Sequence, residues 1–501
     1  MTGCLTGIRK RTVLLFFLAT TVVVYGNTFL NDWTYDDVPV IVQNPDAHSL
    51  KGFVENSRPG RPLRELTYIP EYHLFGEKPA GYRVQQLAWH GMNGFLLVLV
   101  FGLLGVELPY ALLGALFFLV HPLQSESVAN LSHRKELLTL FFSLVSLYGY
   151  VKAAALAGGR RVAFMAVAVA GYVVALLANE TVITLPLLVI LVECYGMPRE
   201  RRILLRRPLL LAVSGAIAAA YLLYTFRGFI RPEQLLTIYS KNSFMASRSY
   251  LPLFMGSMTA FGFYLWKIVL PVGLAPEYTF RLAESFLQPW ALLSGTLLVV
   301  LVTVMVRAAR RLPLLSLGIG WFFVFWLPVS NLVPVAYLAA DRYMYLCLPG
   351  VGLALAVLLQ RLRSAKVEAG FCAVLLVLAV LTAIQNGYWR TEHTLWRHAV
   401  AVNPDSTWVQ ETVALSYLLT DETDKAVAHA REAIRLNRLN TRAYLTLAKA
   451  EERRGNLAEA VKNYEFFAAY GGMEYPSEAA DVQASLPALR ERLALQKTNL
   501  Q

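Results

Sequence analysis

The sequence predicts an all-α, polytopic membrane fold of about eleven hydrophobic spans, followed by a short helical-repeat domain outside the bilayer. Three observations carry that expectation. The 501 residues are 56% hydrophobic and 16% charged, where a soluble domain averages about 25% charged residues. The charges cluster in short loops between long apolar runs, and the mean hydropathy is +0.46. Past residue 387 the apolar runs stop, and a charged, alanine-rich segment begins that matches itself at a 34-residue step.

Crossing the hydrocarbon core takes about 20 apolar residues, or about 17 at the short end. The candidate spans are residues 13–30, 86–104, 109–120, 137–151, 162–178, 182–195, 209–226, 290–306, 312–329, 344–359 and 367–384, of which the runs at Pro109 and Val182 are short. The first run follows Arg9-Lys10-Arg11, as in a secretory leader, but Phe29-Leu30-Asn31-Asp32-Trp33 lacks the small residues of a cleavage site. It reads as an uncleaved helix with a cytoplasmic N-terminus. Basic segments 9–11, 160–161, 199–207, 307–311 and 361–366 belong on the cytoplasmic side. Residues 251–270 are apolar enough to cross, yet a crossing there would place the last two basic segments on the wrong face. An interfacial or re-entrant helix is expected instead, with twelve crossings as the alternative. The outer face then receives loop 31–85, with interfacial helices, and everything after the membrane domain 1–387.

A net charge of +12 invites a nucleic-acid partner. The charges instead have the distribution of cytoplasmic loops, so no such partner is called for. Cys4, Cys194, Cys347 and Cys372 show neither metal-ligand spacing nor a disulfide framework.

In the terminal region 388–501, Ala414 pairs with Ala448, Ala426 with Ala460 and Ala433 with Phe467, and the same step links Ala399 to Ala433 and Asn403 to Asn437. Small residues recurring at this period are the tetratricopeptide signature. About two repeats and a preceding half are present, below the usual three. They are expected to lean on the membrane domain or on a capping helix around Leu486 to Gln496. An unrelated helical hairpin is the alternative.

Chemistry-bearing residues gather in the outer loops. Trp33-Thr34-Tyr35-Asp36-Asp37 opens the first loop. Adjacent carboxylates at a membrane surface repel one another and raise one pKa, which suits a general base. They equally suit a helix cap or a solvated turn. A divalent cation is a further candidate ligand, although two carboxylates alone specify no metal site. Arg58-Pro59-Gly60-Arg61-Pro62-Leu63-Arg64 forms a rigid basic surface for phosphate or for lipid headgroups.

The second outer loop runs from His121-Pro122 through Glu126 to His133-Arg134-Lys135-Glu136, and ionisable residues flanked by membrane helices are costly and usually functional. Arg134 and Lys135 suit an anion, with Glu136 holding them. His121 reads as a helix-ending turn. Asn179-Glu180 sits between two spans with almost no loop, and Asp341-Arg342-Tyr343-Met344-Tyr345 enters the tenth span. Asp341-Arg342 reads either as a self-satisfied pair or as a further phosphate ligand. No P-loop, Rossmann glycine pattern, zinc spacing or Gly-x-Ser-x-Gly elbow is found. Outer carboxylates and cations around an apolar pocket fit a lipid-phosphate substrate.

These motifs, taken in order, resemble one family. Tyr35-Asp36-Asp37 with Asn44-Pro45, Arg61-Pro62-Leu63, Leu74-Phe75-Gly76 with Gly81-Tyr82, and His90 look like the first loop and second helix of the transmembrane-and-tetratricopeptide O-mannosyltransferases and their bacterial relatives. His121-Pro122, Glu126-Ser127-Val128, Arg134-Lys135-Glu136-Leu137, Glu180-Thr181-Val182 with Leu185-Pro186, and Asp341 to Leu346 complete a resemblance that covers nearly the whole chain. It implies a GT-C glycosyltransferase fold in a bacterial inner membrane, taking a sugar from a polyprenyl-phosphate carrier on the periplasmic face, with inversion. It also implies Asp36 as general base, Asp37 to orient it or the acceptor, and Arg134, Lys135 and Arg342 as ligands of the departing phosphate. Glu136, Glu126, His121, Arg61, Arg64, Glu180 and Tyr345 would support them, and the repeats would receive a protein or glycan acceptor. Two positions depart from the family. Asn179 stands where many relatives carry lysine, and Arg83 where histidine is common. A membrane scaffold, a lipid-pyrophosphate glycan ligase and a lipid translocator are the competing readings. The scarcity of ionisable residues within the spans disfavours the last.

Overall fold

The computed structural model describes residues 7–56, 61–206, 208–226, 250–280, 288–332 and 337–499. Cys4, the Arg58-Pro59-Gly60 part of the basic segment and Arg207 lie outside the described residues. Every regular element among the described residues is helical. The chain divides into two compact units, Met1–Leu274 with Phe280–Arg390, and Ala275–Thr279 with Thr391–Gln501.

The first unit holds α1 (Gly7–Tyr25), α2 (Leu50–Glu55), α3 (Pro62–Phe75), α4 (Pro79–Leu103), α5 (Leu108–Val120), α6 (Ser125–Ala129), α7 (Arg134–Ala155), α8 (Gly158–Ala178), α9 (Leu185–Leu191), α10 (Pro208–Phe226), α11 (Tyr250–Val269), α12 (Pro289–Ala308), α13 (Pro313–Trp326), α14 (Leu348–Leu362) and α15 (Ala365–Tyr388). Among the described residues, six helices are long and apolar enough to cross a membrane, those based on α1, α4, α7, α8, α12 and α15. A seventh is made if α5 and the Pro122–Ala129 segment, bent by 54°, form one broken span. The runs around α13 and α14 give shorter apolar helices. The expected span at 182–195 is divided into a 3-10 turn (Glu180–Thr184), α9, and a π turn (Val192–Gly196). Pro186, lacking an N–H, fits the first turn of α9 and ends the preceding turn. Most of the apolar run 251–270 lies in one unbroken helix, α11 (Tyr250–Val269).

The break after α5 shows how a helix end is tolerated among apolar helices. Pro122 biases His121 away from helical geometry, and His121 adopts φ −76, ψ 130. The freed carbonyls need donors, because the residues that carry them, Leu119 and Val120, are buried. The Tyr25 hydroxyl (3.0 Å) and His90 Nε2 (3.0 Å) bond Leu119 O, and Thr382 Oγ1 bonds Val120 O at 2.6 Å. Close packing of α14 relies on glycine. A Cβ on Gly114 would strike the Gly352 carbonyl, and one on Gly350 would meet Gly318 O at 2.5 Å. Small residues at such crossings let backbones touch where lipid offers no hydrophobic drive.

The second unit holds α16 (Glu392–Val402), α17 (Thr407–Leu419), α18 (Thr423–Leu436), α19 (Thr441–Arg453), α20 (Leu457–Tyr470) and α21 (Pro476–Asn499). α17 and α19 begin 34 residues apart, as do α18 and α20. Ala399, Ala414, Ala426, Ala433, Ala448, Ala460 and Phe467 are all fully buried. Ala479, Val482, Leu486 and Leu489 of α21 close the core formed by α19 and α20.

Candidate active site

The site starts at a turn just past α1. The Asp37 N–H bonds Thr34 O at 3.1 Å, and the Thr34 N–H returns to Asp37 Oδ2 at 3.3 Å. Tyr35, between them, has φ +58, a left-handed conformation that strains a bulky residue. Packing holds it there. Its ring lies 5.8 Å from His133 and 6.3 Å from Trp389, and its hydroxyl is 3.4 Å from that of Tyr337. The turn separates the adjacent carboxylates: Asp36 is exposed, while Asp37 is 0% exposed.

Asp37 faces the second outer loop, where Oδ1 accepts the Ser132 N–H at 2.7 Å. Burial pushes its carboxyl up to about 7, against the pull of the Arg83 guanidinium and the two backbone N–H groups. The loop is fixed from α3 and α4. Arg83 Nη1 donates to Ala129 O (2.6 Å), Gln86 Nε2 to Ser127 O (2.8 Å) and Asn130 O (3.2 Å), the Tyr68 hydroxyl to Leu131 O (2.7 Å), and Arg64 Nη1 to Ser132 O (3.2 Å). Asn130 Nδ2 in turn donates to Thr34 O at 3.0 Å. An irregular loop stays buried only when its carbonyls find such donors.

The cations gather beside this loop. Lys135 interacts electrostatically with Arg61, Arg64, Arg342 and Glu136. Each has a carboxylate. Arg61 pairs with Glu180, Arg64 Nη2 bonds Glu65 Oε1 at 2.8 Å, and Lys135 Nζ lies 3.8 Å from Glu136 Oε1. Arg342 pairs with Glu126, which also accepts the Arg342 backbone N–H at 2.7 Å. Asn179 links the pairs, donating to Glu136 Oε2 at 2.9 Å and accepting from Arg61 Nη1 at 3.5 Å. Four cations and four carboxylates leave little net charge. Donors remain open nonetheless: the Lys135 ion pair is too long for a hydrogen bond, and Arg64 Nε is buried without a partner among the described residues.

Three expected site residues are engaged elsewhere. Arg134 has all five N–H donors occupied: Nε on Gln86 Oε1 (3.1 Å), Nη1 on Glu71 Oε2 (2.5 Å), Gln85 Oε1 (2.8 Å) and Thr67 Oγ1 (3.3 Å), and Nη2 on Glu71 Oε1 (3.2 Å) and Tyr82 O (3.0 Å). Its guanidinium also lies 4.5 Å over the Tyr68 ring. The sequence expectation of a phosphate ligand is corrected here: the geometry makes Arg134 an internal tie. His121 caps its own turn, Nδ1 accepting the Leu123 N–H at 3.2 Å and Nε2 lying 3.0 Å from Ile268 O. The Tyr345 hydroxyl sits between His90 Nδ1 (2.8 Å) and Asn93 Nδ2 (3.1 Å), within the helix packing.

Arg83, Glu71, Gln86 and Tyr337 were not read as site residues from the sequence. One signal was there. Arg83, Gln86, His90 and Asn93 recur at helical spacing on α4, a polar stripe along an otherwise apolar helix. Among the described residues, no group of three or more His, Cys, Asp or Glu is placed to hold a metal ion. With Asp37 bonded inward, the aspartate pair presents one carboxylate outward.

Fold and site together define a multi-pass membrane protein with carboxylates and cations clustered at the loops that join its helices. No family model matches the chain. Its sequence is similar to protein O-mannosyl-transferases, as the motifs implied. Protein O-mannosyl-transferase F38B6.6 of Caenorhabditis elegans is 25% identical over 426 residues, covering 79% of this chain and 58% of that protein. Protein O-mannosyl-transferase TMTC4 of Homo sapiens is 26% identical over 460 residues, covering 76% and 61%. Protein O-mannosyl-transferase TMTC3 of Mus musculus is 22% identical over 500 residues, covering 88% and 53%. The chain thus spans little more than half the length of these relatives. Among solved structures, ArnT from Cupriavidus metallidurans bound to undecaprenyl phosphate aligns over 90% of this chain and 79% of that chain, at 17% identity and a TM-score of 0.39.

Proposed function

We propose that the chain is an inverting glycosyltransferase that moves a sugar, a hexose such as mannose, from a polyprenyl-phosphate carrier to a hydroxyl of a protein or envelope glycan. The observation that carries this reading is one outward carboxylate, Asp36, on a turn that Asp37 bonds to Ser132, three residues before the open donor Lys135, in a chain similar to O-mannosyl-transferases over most of its length. The acceptor oxygen attacks the anomeric carbon opposite the breaking bond to phosphate, and Asp36 takes the hydroxyl proton. The lipid phosphate leaves with the bonding electron pair. Lys135 and Arg342 stabilise its charge, where electrostatic help is most effective. A phosphate departs without a general acid. The topology that fits is eleven crossings of a bacterial inner membrane, with the N-terminus cytoplasmic, α11 interfacial or re-entrant and the tetratricopeptide-like unit periplasmic, where it receives the acceptor.

The test is transfer of radiolabelled sugar from a panel of polyprenyl-phosphate sugars to membrane extract, by purified wild type and Asp36→Asn. Transfer by wild type alone supports the reading and names the donor. Equal transfer by both removes Asp36 as base. No transfer from any donor overturns the carrier assignment.

A further inference from the structure

Arg83 is a fully buried charge in the first unit that the proposed chemistry leaves unused. It rises from α4, is 0% exposed, and reaches two chain segments at once. Nη1 donates to Ala129 O at 2.6 Å, and Nη2 to Asp32 O at 3.1 Å and Asn31 O at 3.4 Å. These carbonyls belong to the entry of the aspartate turn and to the loop that receives Asp37. A guanidinium suits this task because its planar fork spans several acceptors with one fixed geometry. No lysine could reach all three at such distances with a single ammonium.

The same charge acts on Asp37. The groups that face this carboxyl are Arg83 from α4, the Tyr68 phenol from α3, and Asp36 on the turn itself, with the Ser132 and Thr34 N–H groups as hydrogen-bond donors. Arg83 is therefore the cation that favours the ionised form of Asp37 in a buried setting that otherwise opposes it. An ionised Asp37 accepts the Ser132 and Thr34 N–H groups, which holds the turn that carries Asp36.

We propose that Arg83 is a positioning residue for the catalytic base: it clamps the Asn31–Asp37 turn to the second outer loop, so that Asp36 is held outward. This rests on the assignment of Asp36 as base, while the clamp and the charge on Asp37 can be tested without it. The sign is fixed by the structure. Losing the Arg83 charge raises the Asp37 carboxyl further, so Asp37 ionises only at higher pH and the acid limb of activity moves up with it.

The experiment uses the full chain in nanodiscs as wild type, Arg83→Lys and Arg83→Gln, with Arg83→Met replacing the glutamine variant if that does not fold. Two quantities are followed against pH: sugar transfer, and the infrared band of the protonated Asp37 carboxyl, assigned by its loss in Asp37→Asn. The expected result is that the neutral variant moves both midpoints up by about one pH unit, with the donor KM unchanged. Arg83→Lys should keep the midpoints near wild type at lower kcat. An unshifted infrared midpoint in the neutral variant overturns the proposal, even if its activity falls. If wild type transfers no sugar, the proposed function fails, and the infrared midpoint alone decides for or against the role of Arg83.

Discussion

Replacing Arg134 separates a binding residue from an internal tie. The side chain is 0% exposed, and its main partner Glu71 is 4% exposed, with a carboxyl that burial already raises against the pull of Arg134. Arg134→Met fills much the same volume over the Tyr68 ring but strands Glu71 as an uncompensated carboxylate. Breaking a buried pair in this way costs about 3–5 kcal/mol. Gln85, Gln86 and the Tyr82 carbonyl lose a donor as well, so the upper part of that range is expected. In a thermal melt of the purified protein this is a drop on the order of 5–10 °C. The double variant Arg134→Met/Glu71→Leu removes both charges and should recover to within about 2 kcal/mol of wild type. A single variant that melts like wild type but needs several-fold more lipid donor would refute the reasoning and return Arg134 to the phosphate site.

Further outcomes follow from the same geometry. Asp36→Asn should leave the melting temperature unchanged and lower kcat by about 10²–10⁴-fold. Asp37→Asn, keeping only one acceptor for two N–H groups, should lose about 1–3 kcal/mol of stability at pH 8, read by the same melts. Lys135→Met should raise the donor KM and lower kcat without shifting the melt. In the second unit, burial raises the Glu411 carboxyl to about 7, against the pull of Arg442. A raised acid favours its protonated form in the fold, so the contribution of Glu411 to stability is full near pH 4 and is lost as pH rises through 7. Glu411→Gln should remove that loss, a gain of up to about 3 kcal/mol at pH 8. Hydrogen exchange of α17 in the full chain measures it, and an unchanged pH dependence would count against the buried carboxylate.

Much of this was legible in the sequence because it depends on local pattern. Apolar length marked α1, α4, α7, α8, α12 and α15, since the bilayer imposes a length that needs no tertiary context. The 34-residue step located α17 to α20, because each repeat buries small residues against its neighbours at fixed spacing. Pro122 predicted the end of α5 for a backbone reason that applies in any fold. Even the grouping of Lys135 with Arg342 and Arg61 draws on charges placed where membrane helices rarely tolerate them.

What tertiary structure decided is which of these charges point where. Adjacent in sequence, Asp36 and Asp37 look equivalent, and only the strained Tyr35 turn and the Ser132 N–H separate an outward carboxylate from a buried one. Arg134 and Lys135 are likewise neighbours, but successive helical residues point about 100° apart. One therefore meets Glu71 and Gln86 while the other joins Arg61, Arg64 and Arg342. Arg83 stood out in the sequence only as a departure from the family pattern, because its partners are backbone carbonyls of distant loops. Periodicity and length are properties of a segment, whereas the pairing of a buried charge depends on whatever the rest of the chain brings to it.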